Sequence, residues 1–187
     1  MQKKYSLSFI FATGLLLLAF VSMNSCKKEN LHFQYKVNLS PYCLAETTNN
    51  FGYPKVYTIN TADIAAAFDA AGYYFYTNRI VSAKFTSYKV AVATDSITLK
   101  DVNGINILIR HVNDNNLGNQ VGYANPTDTL LRSTSITMTG ADINGIFTDE
   151  KFQMLVITYN QAYGNRAVCL QPYDVVLDFE LKSDAKK

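Results

Sequence analysis

Two-residue alternation near both ends of the chain restricts it to a β fold. Phe33, Tyr35, Val37 and Leu39 alternate with Gln34, Lys36 and Asn38. Val175, Leu177, Phe179 and Leu181 alternate with Val176, Asp178, Glu180 and Lys182. Successive side chains of a strand point to opposite faces, so this spacing buries one face and wets the other. The same reasoning places strands at 55–59, 79–93, 105–112, 120–124, 133–139 and 152–160. In 79–93 the apolar phase shifts midway, which predicts a bulge or bend.

Turn residues separate these segments. Residues 49–54 read as a loop, Asn103-Gly104 as a turn after Asp101, residues 113–119 as a polar hairpin loop and 124–128 as another turn. Two short helices are expected. Residues 61–72 are alanine-rich, start at polar Asn60 and Thr61, carry Asp63 in the first turn and exit at Gly72. Residues 141–147 form the second, weakened by Gly145. Both contain Ala-Asp-Ile-x-x-x-Phe, at 62–68 and 141–147, and Ile and Phe four residues apart share a helical face. The repeat reads as two equivalent crossovers, each plugging an end of a two-sheet core. Asp63 and Asp142 then serve as helix-start charges rather than metal ligands. About eight closely spaced strands predict a mainly β fold of two packed antiparallel sheets.

The first residues follow a different pattern. Lys3 and Lys4 precede an apolar run from Phe9 to Val21, and Ser25 stands just before Cys26. This is the order of a secretory signal peptide, and Ser6, Ser8 and Thr13 leave the run short of the roughly 20 apolar residues of a membrane span. The expected organisation is a signal peptide at 1–25, a tether at 26–32 and one domain at 33–187, outside the cytoplasm. Removing 1–25 takes Lys3 and Lys4 from the 17 Lys+Arg and leaves them equal in number to the 15 Asp+Glu. Without a basic patch to displace counterions, nucleic-acid binding is excluded. Lys186 and Lys187 read as a solvated tail.

Cys43 and Cys169 remain in the domain. Outside the cytoplasm they either pair or stand as separate buried thiols. A bridge would close a loop of about 127 residues and contribute at most roughly 5 kcal/mol in the chain-entropy model, and often less.

The residues carry no signature of catalysis or of a metal or cofactor site. There is no Gly-x-Ser-x-Gly elbow. His32 reads as a strand residue, and His111, which follows Ile105, Ile107 and Ile109 on one face, as a satisfied residue at the core edge. The histidines and cysteines lack zinc spacing, no carboxylate pair stands out, and neither polar loop matches a calcium loop. Aromatics are the unusual feature: 13 Tyr, 11 Phe and no Trp. Tyrosine combines an apolar face with a polar tip, which suits interfaces and sugar stacking. Tyr73, Tyr74, Tyr76, Tyr123 and Tyr163 are the candidate binding surface.

The segment Ser25-Cys26-Lys27-Lys28-Glu29-Asn30 resembles the lipobox and following residues of Bacteroidetes-type lipoproteins. The resemblance implies cleavage before Cys26, diacylglycerol on its sulfur and an acyl chain on its new amino group. One chain alone holds a protein only marginally, whereas two or three make a stable anchor. Lys27, Lys28 and Glu29 occupy the charged stretch that often accompanies export to the outer surface. From about residue 58 to 181 the order of elements resembles small β-sandwich lipoproteins of the same group, which implies an immunoglobulin-like sandwich and no activity. The chain is thus expected in the cell envelope, on the outer membrane, facing the periplasm or the surface. The expected role is a non-catalytic binding module for an envelope protein or glycan. The alternatives are an assembly subunit of an outer-membrane complex and a hydrolase.

Overall fold

The computed structural model describes residues 30–44, 53–93, 99, 102–126, 132–160 and 168–187. The readings at 1–25, at Cys26, at loop residues 49–52 and at Tyr163 lie outside the described residues. Ten strands are described: β1 Leu31–Val37, β2 Tyr42–Leu44, β3 Tyr53–Asn60, β4 Ile80–Val92, β5 Val102–His111, β6 Asn119–Ala124, β7 Ser133–Ser135, β8 Thr137–Met138, β9 Lys151–Asn160 and β10 Val168–Leu181. Helix α1 spans Thr61–Ala70, and 3-10 turns occupy Thr77–Arg79, Asn144–Thr148 and Ser183–Ala185.

The strands form two antiparallel sheets, which make a sandwich. The first runs β1-β10-β4-β7, with β2 on the same edge of β10 as β1. The second runs β3-β9-β5-β6-β8. Ala83, Phe85, Leu177 and Phe179 from the first sheet and Ile105, Ile107, Ile109, Met154 and Val156 from the second fill the space between them. The chain passes from sheet to sheet between β7 and β8, where Ile136 is buried and its amide donates to Tyr88 O at 2.8 Å.

The phase shift in the longest predicted strand corresponds to two bulges. Along β4 the register against β10 skips once between Phe85 and Ser87 and once between Ile80 and Ser82. The extra residues, Thr86 and Val81, face solvent. β10 has its own bulge between Tyr173 and Val176, where Asp174 takes φ 50°. The predicted Asn103-Gly104 turn is not a turn. Both residues lie in β5, where Val102 faces Asn160 and Gly104 faces Tyr159, leaving Asn103 as the extra residue of a bulge. The Tyr159 ring lies over Gly104, within 3.4 Å of where a Cβ would sit.

The two ends of the sandwich are closed differently. At one end α1 follows β3 without a loop: Thr61 N donates to Glu150 O at 2.9 Å and Thr61 Oγ1 to Asp149 O at 2.6 Å. The helix stops where Gly72 takes φ +80°, a conformation that costs a side chain little only in glycine. Tyr73 N donates to Phe68 O at 2.9 Å and Gly72 N to Asp69 O at 3.0 Å, which satisfies the last carbonyls. Phe68 enters a ring cluster with centroid distances of 4.3 Å to Phe33, 5.0 Å to Phe75 and 5.0 Å to Phe179. Phe147 joins it at 5.3 Å from Phe179 and 5.7 Å from Phe152.

The two copies of the repeat therefore plug the same end and meet at Phe75 and Phe179. The second copy is not an α-helix; only Asn144–Thr148 is helical, as a 3-10 turn. Its leading residues use their polar groups on the edge of β4 that β7 leaves free. Ile143 N donates to Ala83 O at 2.8 Å, Asp142 Oδ1 accepts from Ala83 N at 2.9 Å, and Asn144 Nδ2 donates to Ile80 O at 3.1 Å. A backbone that serves a sheet edge cannot also run an i to i−4 ladder.

The C-terminal residues are likewise not a solvated tail. Tyr73 and Lys186 form a β-bridge, Lys187 N donates to Gly72 O at 2.8 Å, and Ala185 is fully buried. The amide groups exposed where α1 ends supply the pairing that charge alone did not reveal.

At the opposite end hydroxyls replace phenyl rings. Tyr42 reaches from β2 to β9, where its hydroxyl lies 2.9 Å from Thr158 Oγ1. Tyr57 donates to Ser40 O at 2.7 Å. Tyr88 is 1% exposed, and its hydroxyl has no hydrogen-bond partner among the described residues. Burial pushes the Tyr42 phenol up to about 12, against the opposing pull of its bond with Thr158. Burial also raises Tyr57 and Tyr88, each further disfavoured by an ionised neighbour in the group. Cys43 and Cys169, paired in register across β2 and β10, are joined by a disulfide at this end.

Candidate interaction surface

The outer faces of the two sheets differ in kind. On the first, polar and charged residues sit in register: Gln34 faces Asp178, which faces Lys84, and His32 faces Glu180, which faces Ser82. Several polar groups on this face are partnered. His32 Nδ1 lies 3.3 Å from Asp178 Oδ2, Ser82 Oγ donates to Glu180 Oε2 at 3.1 Å, and Lys89 Nζ sits 2.6 Å from Asp174 Oδ2. Hydrogen bonding to Lys89 holds the Asp174 carboxyl below the usual carboxylate range, and the same contact raises Lys89.

On the second sheet two registered rows are largely apolar. One row is Pro54, Ile157, Asn106 and Tyr123; the next is Val56, Leu155, Leu108 and Gln120. Tyr57 and Ile59 point to the core, so alternation sends Pro54 and Val56 outward. Val56 is 40%, Tyr123 44% and Tyr159 36% exposed, whereas Leu155, flanked on both sides, is buried. Gln120 Nε2 donates to Asn106 Oδ1 at 3.1 Å, and Asn106 Nδ2 donates to the Tyr159 hydroxyl at 3.4 Å. The face thus combines fixed aromatic rings, an apolar centre and a polar chain beside it. The third row, Thr58, Gln153 and Arg110, is polar and lies toward the phenylalanine end.

The structure divides the four described tyrosines of the expected binding set. Tyr123 belongs to the outer face just described. Tyr73 packs inward, with ring centroids 5.9 Å from Phe33 and 6.4 Å from Phe68. Tyr74 and Tyr76 are exposed and stacked, 5.7 Å apart and 20° from parallel. The Arg79 guanidinium lies 5.7 Å from the first ring and 5.5 Å from the second, and Lys187 Nζ sits 5.5 Å from Tyr74. Arg79 and Lys187 are also paired with Asp184 and Asp69. These two rings therefore hold down the C-terminal residues.

Tyr159, Pro54, Val56, Leu108 and Ile157 were not singled out from sequence. For Leu108 and Ile157 the signal was the unbroken runs Ile107-Leu108-Ile109 and Met154-Leu155-Val156-Ile157. Such runs are apolar on both strand faces, where a half-buried strand alternates.

Clefts at the phenylalanine end offer the alternative site. One of about 320 Å³ is lined by Arg110, His111, Asp114 and Asp142; another of about 530 Å³ by Asn60, Asp63, Phe75 and Lys151. His111 is not tucked at the core edge. It ends β5 on the rim, 46% exposed, with Nδ1 2.6 Å from Asp149 Oδ2. The hydroxyl linked to this pair is Thr148 Oγ1, which contacts Gly145 O at 3.1 Å and Asp149 Oδ1 at 3.4 Å. It meets the carboxylate rather than the imidazole, and a nucleophile must meet its base. Among the described residues no cluster of three or more His, Cys, Asp or Glu side chains is placed to hold a metal. No protein-family model and no curated protein matches this chain in sequence.

Proposed function

We propose that the chain is an envelope lipoprotein, anchored through lipid on Cys26, that binds another envelope component without catalysis. The observation that carries the binding role is the apolar, tyrosine-edged outer face of the β3-β9-β5-β6-β8 sheet, set against the charge-paired face of its neighbour. Contiguous apolar surface beside polar residues is the usual mark of an interaction site. Tyr123 and Tyr159 supply large contact area at low entropic cost, and Asn106 and Gln120 supply hydrogen bonds at the rim. The flat, registered rows fit a protein surface better than a sugar, which favours a concave aromatic platform.

The anchor and the face are tested separately. Cys26→Ala should move the protein from the membrane to the soluble fraction and block its processing; unchanged retention ends the lipoprotein reading. Val56→Asp with Tyr123→Ala should abolish co-purification with a membrane partner while leaving fractionation and folding intact. Undiminished co-purification by that variant ends the assignment of the face.

A further inference from the structure

The tyrosine end is closed by the shortest tie in the first sheet's β10 edge. β2 pairs with β10 over three residues, Val168 with Leu44, Cys169 with Cys43 and Leu170 with Tyr42. β1, on the same edge, pairs over seven. From this short strand Tyr42 spans the sandwich to Thr158. At the same end the Tyr88 hydroxyl is buried with no hydrogen-bond partner among the described residues. Such a group favours any opening that admits water. The Cys43–Cys169 bond reinforces β2, and Cys43 lies on the exposed side of the strand. Exchange requires that an attacking thiolate reach a sulfur, and Cys43 is the more exposed residue of the pair.

We propose that Cys43–Cys169 is a redox latch: its reduction by an external dithiol releases β2 from β10 and opens the tyrosine end while the rest of the sandwich stays folded. The reductant's thiolate attacks Cys43 Sγ, the bond to Cys169 breaks, and Cys169 leaves as a thiolate that takes up a proton. The reductant's second thiolate then displaces Cys43 from the mixed disulfide. The protein gains two electrons and two protons, and the reductant departs as its own disulfide. The phenylalanine end has no crosslink to lose and keeps its plug. This inference stands on the disulfide and β2, independently of the outer face assigned above.

The test uses the full chain in detergent, treated with dithiothreitol under native conditions and followed by thiol alkylation and hydrogen exchange. Both Cys43 and Cys169 should become alkylated, and amide exchange at 42–44 should rise by roughly tenfold or more while 152–156 stays protected. A double variant, Cys43→Ser with Cys169→Ser, should show the fast exchange of the reduced protein without any reductant. The proposal is overturned if the bond resists native reduction, if 42–44 exchange alike in both redox states, or if reduction removes protection at 152–156 as well.

Discussion

The two ends of this sandwich face the same problem, an open gap between two sheets, and solve it with different chemistry. At one end Phe33, Phe68, Phe75, Phe147 and Phe179 interlock beneath α1, a 3-10 turn and the C-terminal residues. Closure there is hydrophobic, and exposed Tyr74 and Tyr76 are held by the chain's own cations. At the other end Tyr42, Tyr57 and Tyr88 bring hydroxyls into the interior, one of them unpartnered, and a disulfide holds the short strand above them. The exposed Tyr123 and Tyr159 near this end both adjoin Asn106 on the outer face, beside the apolar rows. One end is built to stay shut; the other combines weaker closure with available surface.

The strongest way to break the comparison is at the plug. Phe68→Ala removes a fully buried ring at the centre of the cluster and should destabilise the fold by roughly 3–5 kcal/mol, measured by urea denaturation. A loss near that of a surface substitution would mean that α1 does not close the end. Next comes the crosslink. Replacing both cysteines by serine should cost about 2–4 kcal/mol, the usual range for a disulfide and less than Phe68→Ala.

High pH should weaken the tyrosine end. The folded pKa of Tyr42 is raised from 10.0 to about 12, so its contribution is fully present below pH 10 and is lost as pH rises toward 12. Stability should fall across that window, and Tyr42→Phe should flatten the slope. The smallest effect should have the opposite direction. Tyr88→Phe deletes an unpartnered buried hydroxyl and should stabilise by about 1 kcal/mol in the same denaturation assay. Destabilisation there would mean that the hydroxyl has a partner in solution.

Much of this was legible in the sequence, for identifiable reasons. Val175, Leu177, Phe179 and Leu181 are buried as alternation required, because a strand has only two faces. The start of α1 at Thr61 and its stop before Gly72 followed from local backbone preferences. The second repeat failed as a helix because Asp142, Ile143 and Asn144 serve the free edge of β4, a partner 59 residues away for Asp142. The C-terminal pairing with Gly72 and Tyr73 was hidden for the same reason: backbone pairing leaves no trace in charge or composition. His111 was placed on the right face, but the strand ends there, so the rim rather than the core receives it. The outer face was the largest omission. Alternation marks one buried face, and Leu108 and Ile157, which break it, lie on the apolar outer face.

The most direct test of the account is site-specific photo-crosslinking in cells that make the full chain. A photoreactive residue is placed in turn at Val56 and Tyr123 on the apolar face, at Tyr74 and Tyr76 on the clamped pair, and at Lys84 on the charged face. The account predicts a discrete adduct from the first two positions alone. Adducts from Tyr74, Tyr76 or Lys84, with none from Val56 or Tyr123, would contradict it.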